Sequence, residues 1–344
     1  MSAILASPIL VSEVGPRDGL QSIHRTMPTE AKIRWVRALA AAGLREIEVG
    51  SFVNPKRLPQ MADAAEVVRA AREIPGITVL ALAPNLKGVQ GAAAAGAHKV
   101  TMPVSASNEH SLANIGVSTD RAIEQVAEAV AWCATLPEDA RPAIEVGIAT
   151  AFGCTISGPV AEDRVIDIAV RLAAAGAESV GLSDGVGYAN PAQVRRLFTR
   201  LIAELGDKAG GAHLHNTRGQ GLANVVAALE AGATTFDASQ GGIGGCPYSP
   251  GATGNIVTED LVWMLEAMGH DTGVDLDGLA AARRILAESL PGEALYGHLP
   301  DVGTEKGFRY AARGPVPEGT GRAHPGGAAC QPSGKEIAGK GIAA

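Results

Sequence analysis

Glu13-Val14-Gly15-Pro16-Arg17-Asp18-Gly19 is the stretch on which two candidate folds part company. It follows a short apolar run that reads as a first strand. An open, doubly wound sheet usually turns out of that strand through G-x-G-x-x-G, and Gly15 to Gly19 does not match. The other way to alternate strands and helices is a closed (β/α)₈ barrel. Outward from this turn the alternation continues, with candidate strands ending near Glu13, Val49, Ala83, Val104, Thr150, Ser183, His215 and Ser239. Between them lie alanine-rich helical segments: Thr29–Ala42, Met61–Arg72, Thr119–Ala134, Ala161–Ala175, Pro191–Leu205, Gly219–Ala231 and Glu259–Met268. Four helices close alike, at Gly43, Gly96, Gly176 and Gly232, each a natural left-handed cap with a strand soon after. The reading is an α/β, (β/α)₈ barrel over residues 1–273. A helical extension over 274–302 packs on it through Leu276–Leu290. A Gly/Pro/Ala-rich tail over 303–344 is expected to be flexible.

Composition narrows the function. The 344 residues can bury a full core, and a net charge of −7 without any Lys/Arg-rich run argues against nucleic acid as a partner. No stretch approaches a membrane span, and Met1–Leu10 lacks a secretory signature. Cys133, Cys154, Cys246 and Cys330 are widely spaced, with no C-x-x-C pair. They fit a reducing, cytoplasmic setting rather than a disulfide framework.

Chemistry enters at Ala212-His213-Leu214-His215-Asn216. Alternation along a strand puts both imidazoles on one face, about 7 Å apart along it, within reach of one metal ion. Asp18, in the turn opened by Gly15-Pro16, becomes a carboxylate ligand beside such a site; alone it would read as a turn aspartate. Imidazole nitrogens with carboxylate and amide oxygens suit Mg²⁺ or Mn²⁺. Arg17 can stabilise a developing oxyanion at a metal site. Gly241-Gly242-Ile243-Gly244-Gly245-Cys246 is permissive backbone carrying a thiol, suited to closing over a site and moving a proton. Asn255 either offers its side-chain oxygen to the metal or ends a turn, and spacing does not separate the two. Glu48 and Asp184 stand near strand ends, where salt bridging is the plainer reading. Asn85 and Asp237 fall at the same edge, where barrel active sites are built.

From Val11 to Asp271 these segments resemble 3-hydroxy-3-methylglutaryl-CoA lyase, a member of a metal-dependent barrel superfamily that includes Claisen-type synthases. The motifs are Val14-Gly15-Pro16-Arg17-Asp18-Gly19-Leu20-Gln21, Ile47-Glu48 with Ser51-Phe52-Val53, Pro84-Asn85-Leu86-Lys87-Gly88, His213-x-His215, and Gly244-Gly245-Cys246-Pro247-Tyr248 with Gly251-Ala252-Thr253-Gly254-Asn255. The resemblance implies Asp18, His213, His215 and Asn255 as metal ligands. It makes Arg17 the partner of the enolate oxygen and Cys246 the proton carrier, with Glu48 and Asp184 supporting or acid/base residues. It implies cleavage of an acyl-CoA ester to acetyl-CoA and acetoacetate, a homo-oligomer, and leucine breakdown as the usual setting.

Two segments depart from the pattern. After the second histidine the lyases carry Asp-Thr-Tyr-Gly, and this chain has Asn216-Thr217-Arg218-Gly219. Around Asp184 they tend to have Gly before and Thr after, where this chain has Ser183 and Gly185. The added cation Arg218 motivates a rival substrate, another branched 3-hydroxyacyl-CoA such as citramalyl-CoA. A condensing synthase and a non-enzymatic metal-binding barrel are the other readings. Lys56, Arg57 and Lys87, in loops after strands, are candidate contacts for the CoA phosphates.

Overall fold

Eight parallel strands close on themselves in sequence order in the computed structural model, which describes residues 9–244, 254–312 and 314–315. They are β1 Leu10–Glu13, β2 Glu46–Ser51, β3 Thr78–Leu82, β4 Lys99–Ser105, β5 Ala143–Ala149, β6 Ser179–Asp184, β7 Ala209–Leu214 and β8 Thr235–Ala238. Closure is made by β8 on β1, with Leu10 opposite Thr235 and Glu13 opposite Ala238. The barrel expected from the sequence is the fold observed.

The helices are α1 Thr29–Ala41, α2 Ala64–Arg72, α3 Leu86–Ala95, α4 Asn108–Ile115, α5 Thr119–Cys133, α6 Glu162–Ala174, α7 Pro191–Leu205, α8 Gly221–Glu230, α9 Thr258–Ala267 and α10 Leu276–Ser289. Most pack an apolar stripe on the barrel wall, while α10 packs on α1 and α9. On α1 that stripe is Trp35, Val36 and Leu39, all essentially inaccessible to solvent. Burying a side chain of this size contributes roughly 1.5–3 kcal/mol. The sequence reading gives α3 only by its close at Gly96 and does not include α4. On α3, alanine and glycine blur the apolar period, but Asn85 caps the helix by accepting from the Gly88 amide. On α4, eight residues hold only two buried side chains.

Within the segment expected as an extension, α10 packs on α1 and α9. Arg283 on α10 pairs with buried Glu259 on α9 at 3.0 Å. The start of the expected tail requires a correction. Phe308 is buried, and the Tyr310 hydroxyl accepts from the Leu276 amide at 3.0 Å. These two aromatic residues anchor a segment whose neighbours are small or polar. Residues 313 and 316–344 lie outside the described residues.

The barrel strands show an inverted distribution of burial. On β5 and β6, Ile144, Val146, Ile148, Val180 and Leu182 face the helices and are buried. The alternate positions, facing the barrel axis, are partly accessible. Barrels of this class usually fill that axis with bulky branched side chains; here Gly147, Gly181 and Gly211 occupy it and a cavity of about 970 Å³ follows the axis.

Candidate metal centre and active site

The site is built at the carboxyl ends of β1, β2 and β7. Leaving β1, the backbone takes one wide π-type turn over Gly15–Gly19, which the sequence reading treated as a plain loop. Gly15 is required there, because a Cβ would press on the Glu13 carboxylate and the Trp35 ring. The turn projects Asp18 inward. His213 and His215 leave β7 on the same face, as their spacing implied.

These three side chains converge. The two Nε2 atoms are 3.2 Å apart, and Asp18 Oδ2 lies 3.9 Å from one and 3.8 Å from the other. All three ligand atoms fall within 4.8 Å of one another, and no other such grouping occurs among the described residues. Asn255 completes the cluster. Its Nδ2 donates to Asp18 Oδ2 at 2.7 Å, while its Oδ1 is buried with no hydrogen-bond partner. A buried amide oxygen without a donor is costly, and a cation is the partner this donor set lacks. Two ligands at about 2.1 Å from one ion and at right angles stand about 3.0 Å apart, close to the separation of the two rings. The residues therefore fit a divalent cation, and the geometry favours the ligand reading of Asn255 over a turn terminus. A close backbone approach holds Asn255 in place, since a Cβ on Gly254 would collide with the backbone of Gly242 and Ile243.

Neighbouring groups set the charge. Burial alone would raise the Asp18 carboxyl, but Arg17 and the two imidazoles outweigh it and bring it down to about 2. Asp18 is thus a carboxylate at any ordinary pH, as a ligand must be. Burial disfavours the charged form of His213, yet Asp237 and Asp18 overcome this and raise it. Arg17 is itself buried. It bonds Asp18 Oδ1 at 2.7 Å and Glu48 Oε2 at 2.5–2.6 Å. Burial pushes the Glu48 carboxyl up to about 7, against the lowering by Arg17. Its second oxygen, Oε1, is buried and unpartnered.

Asp184 stands apart from this group. It does not line the cavity, and its two oxygens accept from the amides of Tyr188 and Ala189 at 2.8 and 2.9 Å. Burial raises its carboxyl while those amides lower it. In this structure it braces the loop after β6. The four departures from the lyase pattern separate in the same way. Asn216 accepts from the Gly221 amide at 3.0 Å and so caps α8. Arg218 is exposed, lies 4.6 Å above the Tyr188 ring and donates to the carbonyls of Val186 and Gly187. Neither lines the cavity, whereas Ser183 and Gly185 do.

Sequence reasoning noted Asp237 only by position. The structure gives it a task, a 3.0 Å contact from Oδ2 to His213 Nδ1. Of the candidate CoA contacts, Arg57 lines the cavity rim with Asn54 and Asn85, while Lys56 and Lys87 are exposed outside it. Cys133 is buried away from the site and Cys154 is buried beneath a tight turn. Cys246 and Cys330 lie outside the described residues. The flanks of the Cys246 segment stand at the site, since Gly244 lines the cavity and Asn255 bonds Asp18.

A closed (β/α)₈ barrel with an Asp–His–His–Asn cluster fit for a divalent cation defines the class. Residues 9–286 match the family model described as HMGL-like. Hydroxymethylglutaryl-CoA lyase of Gallus gallus mitochondria is 38% identical over 284 residues, 82% of this chain and 93% of that protein. The Bacillus subtilis hydroxymethylglutaryl-CoA lyase YngG is 38% identical over 285 residues, with the same shares covered. Among solved structures, an HMG-CoA lyase from Acinetobacter baumannii in complex with coenzyme A and 3-methylmalate superposes with a TM-score of 0.82 at 38% identity, covering 88% of this chain and 97% of that one. The chain belongs to the HMGL-like family.

Proposed function

We infer that this protein is a carbon–carbon lyase that cleaves 3-hydroxy-3-methylglutaryl-CoA to acetyl-CoA and acetoacetate. The observation that carries the reading is the convergence of Asp18, His213, His215 and the unpartnered Asn255 Oδ1 beside the buried Arg17–Glu48 pair. It is supported by relatives of that name at 38% identity over most of the chain.

A divalent cation, Mg²⁺ or Mn²⁺ by a donor set of two imidazole nitrogens with a carboxylate and an amide oxygen, would lower the pKa of the substrate's tertiary hydroxyl and fix its orientation. The residues supply the rest. Glu48, which lines the same cavity, takes the hydroxyl proton. The carbon–carbon bond then breaks, its electron pair leaving with the thioester fragment as an enolate while the alcohol carbon becomes the ketone of acetoacetate. Arg17, already held by two carboxylates, meets the enolate oxygen. Cys246 delivers a proton to the enolate carbon and completes acetyl-CoA. Arg57 at the rim contacts the CoA phosphates.

The added cation Arg218 stacks on Tyr188 and is spent on two carbonyls, so the feature behind the citramalyl-CoA reading does not reach the acyl site. The chain takes a CoA ester as its small-molecule partner and works as a homo-oligomer. No described helix is long and apolar enough to cross a membrane, and a cytoplasmic setting follows from the thiol content.

The test is release of both products from 3-hydroxy-3-methylglutaryl-CoA with Mg²⁺ or Mn²⁺, abolished by EDTA. Cys246→Ser should bind metal as before and turn over more slowly. A metal-loaded, folded enzyme that releases neither product would refute the assignment.

A further inference from the structure

The barrel axis is the feature that methylglutaryl cleavage leaves unexplained. At the level of the metal cluster, Ser183, His213 and Asp237 stand side by side in register. Two residues lower, roughly 6.6 Å along a strand, the paired positions are Pro103, Gly147 and Gly181. Two residues lower again stand Thr101, Glu145 and Ser179. One cavity is lined by all three layers. At its floor Lys99 bonds Glu46 at 2.8 Å, and the Thr101 hydroxyl donates to Glu145 at 2.8 Å. The floor is thus a hydrogen-bonded polar cluster, and Lys99 lines the cavity there.

A CoA ester enters from the open mouth, because its nucleotide arm is too large to lie within the barrel. Groups on the acyl carbon opposite the thioester therefore point down the axis. A methyl group fills little of that space. We propose that the axial well is an extension of the acyl site, and that the enzyme accepts 3-hydroxyglutaryl-type CoA esters whose 3-substituent is longer than methyl and ends in a neutral hydrogen-bonding group. The inference rests on the lyase reading above and narrows its substrate class. Gly147 is the gate. A Cβ there meets only the Ser183 hydroxyl, at 3.1 Å, so a larger side chain projects into the well rather than into the wall. Thr101 is the polar end, about 13 Å below the His213 layer along the strands, so a substituent of about seven carbons brings its tip to it.

The experiment compares three esters on the metal-loaded full chain: the 3-methyl compound, its 3-heptyl analogue and its 3-(7-hydroxyheptyl) analogue. The wild type should cleave the hydroxyheptyl ester with kcat/KM at least equal to the methyl ester, with the heptyl ester lower by roughly tenfold. Gly147→Leu should lose the two long esters by roughly a hundredfold and keep the methyl ester. Thr101→Val, nearly isosteric, should erase the preference for hydroxyheptyl over heptyl without changing the fold. Cleavage of the methyl ester alone by the wild type would overturn the inference and leave the lyase reading intact. So would a folded Gly147→Leu that loses all three esters equally. Failure to cleave any ester would remove the lyase reading, and this inference with it.

Discussion

Asp237 Oδ2 lies 3.0 Å from His213 Nδ1, across the β7–β8 register that sets these two residues side by side. The contact fixes the tautomer. With Nδ1–H directed to the carboxylate, Nε2 presents its lone pair toward His215 and Asp18. Partners of this kind typically govern metal affinity by 10–100-fold. Asp237→Ala should therefore weaken Mn²⁺ binding by about that factor in calorimetric titration, while Asp237→Asn, which keeps an acceptor, should lose less. Equal affinity in all three proteins would show that the contact does not orient the ring.

The four proposed ligands come from three separate parts of the chain, so a bound ion ties β1, β7 and the segment before α9 together. Binding to the folded state alone stabilises it by about 2.7 kcal/mol at a hundredfold excess over Kd. Thermal unfolding should move upward with Mg²⁺ or Mn²⁺ and return with EDTA. In His213→Ala the shift should shrink or vanish while the metal-free midpoint stays within a few degrees. A wild-type midpoint indifferent to both cations would argue against the cluster as a cation site.

The sequence made part of this centre legible and hid the rest for physical reasons. His213, His215 and Asp18 were readable because two-residue alternation and strand-end position are local properties. Asp237 was not assigned a role, because its contact to His213 depends on the register of two strands 24 residues apart. The wide turn at Gly15–Gly19 looked like a loop, since its backbone pattern leaves no periodic signal in five residues. The hollow axis escaped as well. Small residues at alternate strand positions read as a tolerant wall until closure of the barrel places Gly147, Gly181 and Gly211 around one axis. Asp184 illustrates the reverse case. Its position alone read as a salt bridge and the resemblance implied a supporting or acid/base role, while in the structure it accepts from two backbone amides.

Glu13 gives a pH prediction. It is wholly buried, and burial raises its carboxyl to about 8 despite accepted bonds from Thr258, Gln240 and Gly15; nearby Glu259 adds to the rise. The folded state therefore keeps a proton that the unfolded chain, with an ordinary value near 4.5, releases. Proton uptake is greater in the native state between those two values, so this residue's contribution to stability falls as pH rises from about 4.5 to about 8 and is flat outside that window. Glu13→Gln can accept the two amide bonds through its oxygen and donate to Thr258 through its nitrogen. Urea unfolding from pH 5 to 8 should show a shallower decline in the variant than in the wild type. Parallel curves would mean that Glu13 stays ionised in the fold.

The Arg17–Glu48 pair separates structural from chemical roles. Arg17→Gln leaves Glu48 and Asp18 facing each other in a buried site without their cation, and breaking a buried pair this way costs about 3–5 kcal/mol. Protonation of Glu48, already held near 7, softens that cost at lower pH. Adding Glu48→Gln removes the orphaned charge, so the double variant should recover much of the stability in urea unfolding. Loss of Glu48 alone should slow turnover through loss of the proton acceptor. In the double variant turnover should remain at least 10²–10³-fold down, because no donor replaces the guanidinium at the enolate oxygen. If turnover recovered in step with stability, Arg17 would be a brace for the turn at Gly15–Gly19 and not the group that meets the enolate.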